Sequence, residues 1–171
     1  MKLFIGCASS DEIPDVYFKE SKKVISKLLK NNDLLFGAYD KGLMNMCYSE
    51  AKLNLNKVIG VAPKVYESDL NKSNYDEKVL VNDILDRTKY LIKKSDAIIF
   101  LPGGIGTINE LFASIDMKRS GEIDKPIIIY NINHYYDKLL DFLEVLYNEK
   151  FTTSEVKKLY QVSYDLEDIN L

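Results

Sequence analysis

Short apolar runs alternate with stretches of helical period along the whole chain. Lys2 to Cys7 is apolar after its first residue, the pattern of a buried strand. From about Asp15 to Lys30 the apolar residues Val24, Ile25, Leu28 and Leu29 share one helical face, until Asn31-Asn32-Asp33 breaks the period. Leu34-Leu35-Phe36 predicts a second strand ending at Gly37, and a second helix runs from about Leu43 to Leu53. Lys57 to Ala62 predicts a third strand, stopped by Pro63. Lys64 to Asp76 is polar and has neither period, so it predicts a mobile loop or lid. A helix over about Val81 to Lys94 leads to Ala97-Ile98-Ile99-Phe100-Leu101, apolar throughout as a strand buried on both faces must be. Pro102 ends that strand, and a helix from near Thr107 to Arg119 follows, with Gly121 as its stop signal. Pro126 to Tyr130 is a fifth strand. Tyr135 to Asn148 is helical, with Leu139, Leu140, Leu143 and Leu146 on one stripe. The tail from Thr153 predicts a short helix and an edge strand near Tyr160 to Val162.

This alternation predicts one α/β domain over residues 1–171, a parallel sheet with helices on both faces. A chain of 171 residues can bury a core without disulfides or metals. In such sheets ligands sit beyond the carboxyl ends of the strands. The turns after Cys7, Phe36, Ala62 and Leu101 are therefore where chemistry is expected.

The formal net charge of −3, with no basic runs, argues against a nucleic-acid partner. Cys7 and Cys47 lack CxxC spacing and nearby histidines, so they read as buried free thiols in a reducing compartment rather than as a zinc site. The single histidine, His134, falls in a polar turn. Phe4-Ile5-Gly6-Cys7 loosely mimics a lipoprotein processing site, but the apolar residues between Lys2 and Gly6 are too few for a signal segment. No stretch approaches the roughly 18 apolar residues of a membrane span. The expected location is cytoplasmic, with no membrane partner.

The loop Pro102-Gly103-Gly104-Ile105-Gly106-Thr107 carries the strongest chemical signal. Its glycines let the backbone curl and approach a ligand closely. The helix that follows aims free N–H groups and its dipole back at the loop, which together make an anion site suited to phosphate. The pattern is neither a Walker A loop nor GxGxxG. Glu110 stands three residues after Thr107, so Thr-x-x-Glu also fits a capping box. The functional alternative sets its carboxylate beside a ribose, where it stabilises positive charge on the sugar or activates water. Arg87 reads as a surface arginine or as a bidentate phosphate ligand.

Pro102-Gly103-Gly104-Ile105-Gly106-Thr107-Ile108-Asn109-Glu110 resembles the PGGxGTxxE signature of the LOG family, cytokinin riboside 5′-monophosphate phosphoribohydrolases often labelled lysine decarboxylases. Cys7-Ala8-Ser9-Ser10 is similar to the family's C-G-S-S, and Gly42-Leu43-Met44 to its G-L-M segment. Lys125-Pro126 and Tyr135-Tyr136-Asp137-Lys138-Leu139-Leu140 resemble its later K-P and G-Y-Y-D-x-L-L segments. The resemblance implies a Rossmann-like fold, a homodimer, no cofactor and no metal. It implies hydrolysis of an AMP-type nucleotide to free base and ribose 5-phosphate. In that carry-over Arg87 and Glu110 are the catalytic pair. Gly103, Gly104, Ile105, Gly106 and Thr107 hold the phosphate, while Ser9, Ser10, Gly42, Leu43 and Met44 line the nucleotide pocket.

The chain departs from the family at several places. The places of the family's three glycines before G-L-M hold Gly37, Ala38 and Tyr39, and that of its following glycine holds Asn45. The R-K pair is Arg87-Thr88, the first acid of E-E-L is Asn109, and Asp116 stands near a missing tryptophan. These departures leave the base open. They also leave room for a nucleotide sensor or carrier without turnover, and for transfer of the sugar or base to an acceptor.

Overall fold

The computed structural model describes residues 1–169. Among the described residues seven strands and six α-helices alternate. The strands are β1 (Lys2–Gly6), β2 (Asp33–Phe36), β3 (Val58–Pro63), β4 (Glu77–Val81), β5 (Ala97–Phe100), β6 (Ile127–Tyr130) and β7 (Gln161–Ser163). The helices are α1 (Asp15–Leu28), α2 (Gly42–Leu53), α3 (Glu67–Leu70), α4 (Ile84–Lys94), α5 (Ile105–Arg119) and α6 (Asp137–Asn148). All strand pairs are parallel, in the order β4-β3-β2-β1-β5-β6-β7. This is the doubly wound, Rossmann-like α/β arrangement.

The central strands are apolar throughout because the pleat sends successive side chains to opposite faces, and both faces are covered. Leu3, Ile5, Leu34, Phe36 and Ile99 pack into one core with Val24, Ile25 and Leu28 of α1 and Leu43 of α2. Phe4, Leu35, Ile98 and Phe100 pack into the other, with Leu91 of α4, Leu111 of α5 and Leu143 of α6. Each such side chain, fully buried, stabilises the fold by about 1.5–3 kcal/mol.

Two expectations are corrected. Residues 64–76 hold a 3₁₀ turn (Lys64–Tyr66) and the short helix α3. Residues 77–81, partly assigned to a helix by pattern, form the edge strand β4. With one neighbour only, β4 carries Glu77 and Lys78 in solvent and holds only the three-residue apolar run Val79-Leu80-Val81; charge on an edge strand also blocks further pairing. Helix α4 accordingly starts at Ile84, where the Asp83 carboxylate accepts from the Asp86 N–H.

The chain order reverses at β1, which has β2 on one side and β5 on the other. The connections leaving β1 and β5 therefore diverge to opposite faces and open a crevice beyond their carboxyl ends.

Candidate functional site

That crevice is a cavity of about 710 Å³, within the usual range for small-molecule sites. Its walls come from the ends of β1 (Gly6, Cys7, Ser9), of β2 (Gly37, Ala38, Tyr39) and of β5 with the first turns of α5 (Gly104 to Thr107, Asn109, Glu110). Met44 of α2, Tyr66 and Asp69 of the short helical segment, and Ile84, Leu85 and Arg87 of α4 complete it.

Gly104 is the N-cap of α5 and supplies no side-chain cap, so the first N–H groups of the helix have no partner within it. Gly104 and Gly106 face open space where a side chain would project. Gly103 is different: a Cβ there would collide with Thr107. Thr107 is itself buried, and its hydroxyl donates to the Cys7 carbonyl at 3.2 Å, tying the loop to the end of β1. The Ala8 N–H adds a second tie to the Pro102 carbonyl at 3.0 Å.

Because α5 begins at Ile105, Thr107 is not its cap and Thr107–Glu110 is not a capping box. Glu110 turns inward instead. It is 7% exposed, and its Oε2 lies beside Gly6, where a side chain would press on both Glu110 and Phe100. Its Oε1 stands 3.5 Å from Arg87 Nη2, an ion pair across the cavity floor. Burial pushes the carboxyl up from its ordinary 4.5 to about 7, and Arg87 opposes that rise. Arg87 Nε is buried without a hydrogen-bond partner, while the residue itself lines the cavity.

Of the other residues singled out by sequence, Ser9 and Met44 line the cavity. Ser10 lies off it: its hydroxyl accepts from the Glu12 N–H. Leu43 is wholly buried in the core. Gly42 has a φ of +60° and packs on the Ser10 backbone, with its N–H bound to the Asp11 carboxylate at 2.7 Å. It shapes the wall without lining it. Ala38, at a family glycine position, keeps the left-handed backbone with a φ of 51°. The Cys7 thiol is held well above its ordinary value by contact with Cys47 and by burial, which disfavours a thiolate nucleophile.

Tyr39, singled out in the sequence as a departure from the family's glycines, lines the cavity, whereas Tyr66, Asp69, Ile84 and Leu85 carry no sequence signal as wall residues. Tyr66 and Asp69 follow the carboxyl end of β3, in the turn after Ala62 where the sequence expects chemistry, but their residue types and spacing do not mark them individually. Among the described residues no helix is long and apolar enough to cross a membrane.

A family model described as "Possible lysine decarboxylase" matches residues 44–170. The cytokinin riboside 5′-monophosphate phosphoribohydrolase LOG4 of Arabidopsis thaliana is 31% identical over 160 residues, spanning 92% of this chain and 74% of that protein. The probable enzyme of the same name, LOGL2, of Oryza sativa subsp. japonica is 31% identical over 152 residues, spanning 88% of this chain and 62% of that one. Among solved structures, the molybdenum cofactor carrier protein of Chlamydomonas reinhardtii superposes with a TM-score of 0.68 at 16% identity, covering 97% of this chain and 91% of that chain. The molybdenum cofactor binding protein of Rippkaea orientalis gives 0.67 at 17% identity, covering 97% and 90%. At those identities the two structures establish the shared fold alone. By the family match and the identity to the plant proteins, the chain belongs to the possible lysine decarboxylase family, also called the LOG family.

Proposed function

We propose that this protein hydrolyses the N-glycosidic bond of a purine nucleoside 5′-monophosphate, AMP or a modified AMP, giving free base and ribose 5-phosphate. One observation carries the proposal: the buried Glu110 carboxylate, paired with Arg87, faces the same cavity as the open N-terminus of α5. The names of the plant relatives, phosphoribohydrolases of a riboside 5′-monophosphate, agree with it.

In this reading the phosphate sits against the N–H groups of Gly104 to Thr107, drawn by unpaired donors and the helix dipole. The ribose then lies over Glu110. As the bond from C1′ to the base nitrogen breaks, positive charge grows on the sugar ring, and the carboxylate beside it is matched to that charge. Water adds at C1′ as Glu110 takes its proton, and that proton completes the departing base. Both tasks need the ionised carboxylate. Arg87 favours that form and lines the cavity beside it, in reach of the ligand's oxygens. Binding energy gathered at the phosphate, remote from the breaking bond, holds the sugar in place for the reaction.

The test is chromatography of purine 5′-monophosphates after incubation with the folded protein. Release of base together with ribose 5-phosphate supports the hydrolase. Calorimetric binding without release would replace it with a nucleotide sensor or carrier.

A further inference from the structure

Three successive carbonyls of the β5–α5 connection are tied from outside the loop. Tyr136 Oη donates to Leu101 O at 2.7 Å, Ala8 N–H to Pro102 O at 3.0 Å, and Tyr135 Oη to Gly103 O at 2.7 Å. A trans peptide points its C=O and the following N–H in opposite directions. Fixing Gly103 O therefore fixes the Gly104 N–H, and fixing Pro102 O fixes the Gly103 N–H. We propose that Tyr135 is a positioning residue for the anion site, aligning the Gly104 amide before any ligand arrives; the Tyr136 tie ends on the Leu101–Pro102 peptide, which has no N–H to aim. This rests on the reading of the loop as the phosphate site.

The two tyrosines are themselves held in place. They follow β6, the strand next to β5, after a turn in which Asn133 and His134 both take left-handed backbone, φ 49° and 59°. Such conformations persist where the surroundings over-determine them, and here they do. The buried Asn131 side chain accepts from the Tyr136 N–H and donates to the Asp137 carboxylate, each at 2.7 Å. Tyr135 meets the Tyr136 ring edge-on at 4.9 Å and the Tyr17 ring of α1 at 5.5 Å. A phosphate contact needs several amides aimed at one point, and an amide free to rotate loses that alignment. The Tyr135 hydroxyl supplies the constraint without touching the ligand, since Tyr135 does not line the cavity.

The test compares wild type with Tyr135→Phe and Tyr136→Phe, which keep the rings. Calorimetry with AMP, ribose 5-phosphate and adenosine reads the binding, and kinetics with AMP give KM and the pH midpoint. The expected result is weaker binding of AMP and ribose 5-phosphate by Tyr135→Phe, about fivefold to tenfold for the lost hydrogen bond, and a smaller change in Tyr136→Phe. Adenosine binding stays level, KM rises, and the pH midpoint does not move because Glu110 and Arg87 are untouched. Unchanged binding of both phosphate ligands by Tyr135→Phe overturns the proposal, as does an equal loss for AMP and adenosine, which marks general loosening. If wild type binds neither phosphate ligand, the phosphate reading of the loop falls and takes the positioning role with it.

Discussion

At Glu110 two forces oppose each other: burial disfavours the charged carboxylate, and Arg87 favours it. If the ionised form does the chemistry, kcat/KM for AMP rises with pH through about 7 and levels above it. Arg87→Ala removes the opposing cation and moves that midpoint upward, which a pH series on the variant reads. Stability follows with the opposite sign. The unfolded carboxyl ionises near 4.5 and the folded one near about 7, so between these values the unfolded chain sheds a proton that the folded chain keeps. This contribution is whole below about 4.5, falls as pH rises, and is level again above about 7. Glu110→Gln carries no charge, so it raises stability at pH 8 by at most roughly 3 kcal/mol at 1.36 kcal/mol per pKa unit. Turnover is lost in the same variant. Thermal melts at pH 8 and pH 4 check this: the gap to wild type closes at pH 4, and a gap independent of pH contradicts it. Glu110 stands out in the sequence by its place after the glycine loop, yet its spacing from Thr107 suits a cap equally well. Only the start of α5 at Ile105 separates the two readings.

At the scale of the element, the glycines of one loop divide by what surrounds them. Gly103→Ala would drive a methyl into Thr107, so it lowers the melting temperature. Gly106 lies in the first turn of α5 with open space around it, and Gly106→Ala gains about 0.5–1 kcal/mol of helix stability. The same methyl borders the cavity, so AMP affinity falls while stability rises, and calorimetry beside thermal melts separates the two effects. Lys125 anchors the other end of the neighbouring helix. Its ammonium donates to the carbonyls of Ile92, Lys93 and Ser95, closing the C-terminus of α4. Lys125→Met leaves those carbonyls without that donor and costs about 1–3 kcal/mol, measured by urea unfolding. The element pattern was legible where both faces are buried, as in Ala97 to Leu101, because a short, unbroken apolar run bounded by Asp96 and Pro102 suits a strand covered on both sides. It failed at β4, where Glu77 and Lys78 face solvent and only the partner strand β3 reveals a strand. The tyrosine ties were out of reach, since Tyr135 and Tyr136 bond to carbonyls 32 and 35 residues away and leave no local signal.

Across the whole molecule the strand order, more than any single motif, assembles the site. Parallel winding to both sides of β1 brings the ends of β1, β2 and β5 to one crevice, so residues as distant as Ser9, Arg87 and Glu110 share a cavity. The fold alone does not choose a chemistry, since cofactor carriers share it at low identity. The proposed hydrolysis rests on a carboxylate beside a cation and an open helix N-terminus in one space. The most direct measurement is mass spectrometry of AMP incubated with the wild-type protein in ¹⁸O-labelled water. The account predicts unlabelled adenine and ribose 5-phosphate carrying one labelled oxygen at the anomeric carbon. Release of labelled inorganic phosphate with adenosine, or AMP recovered intact from folded protein, would contradict it.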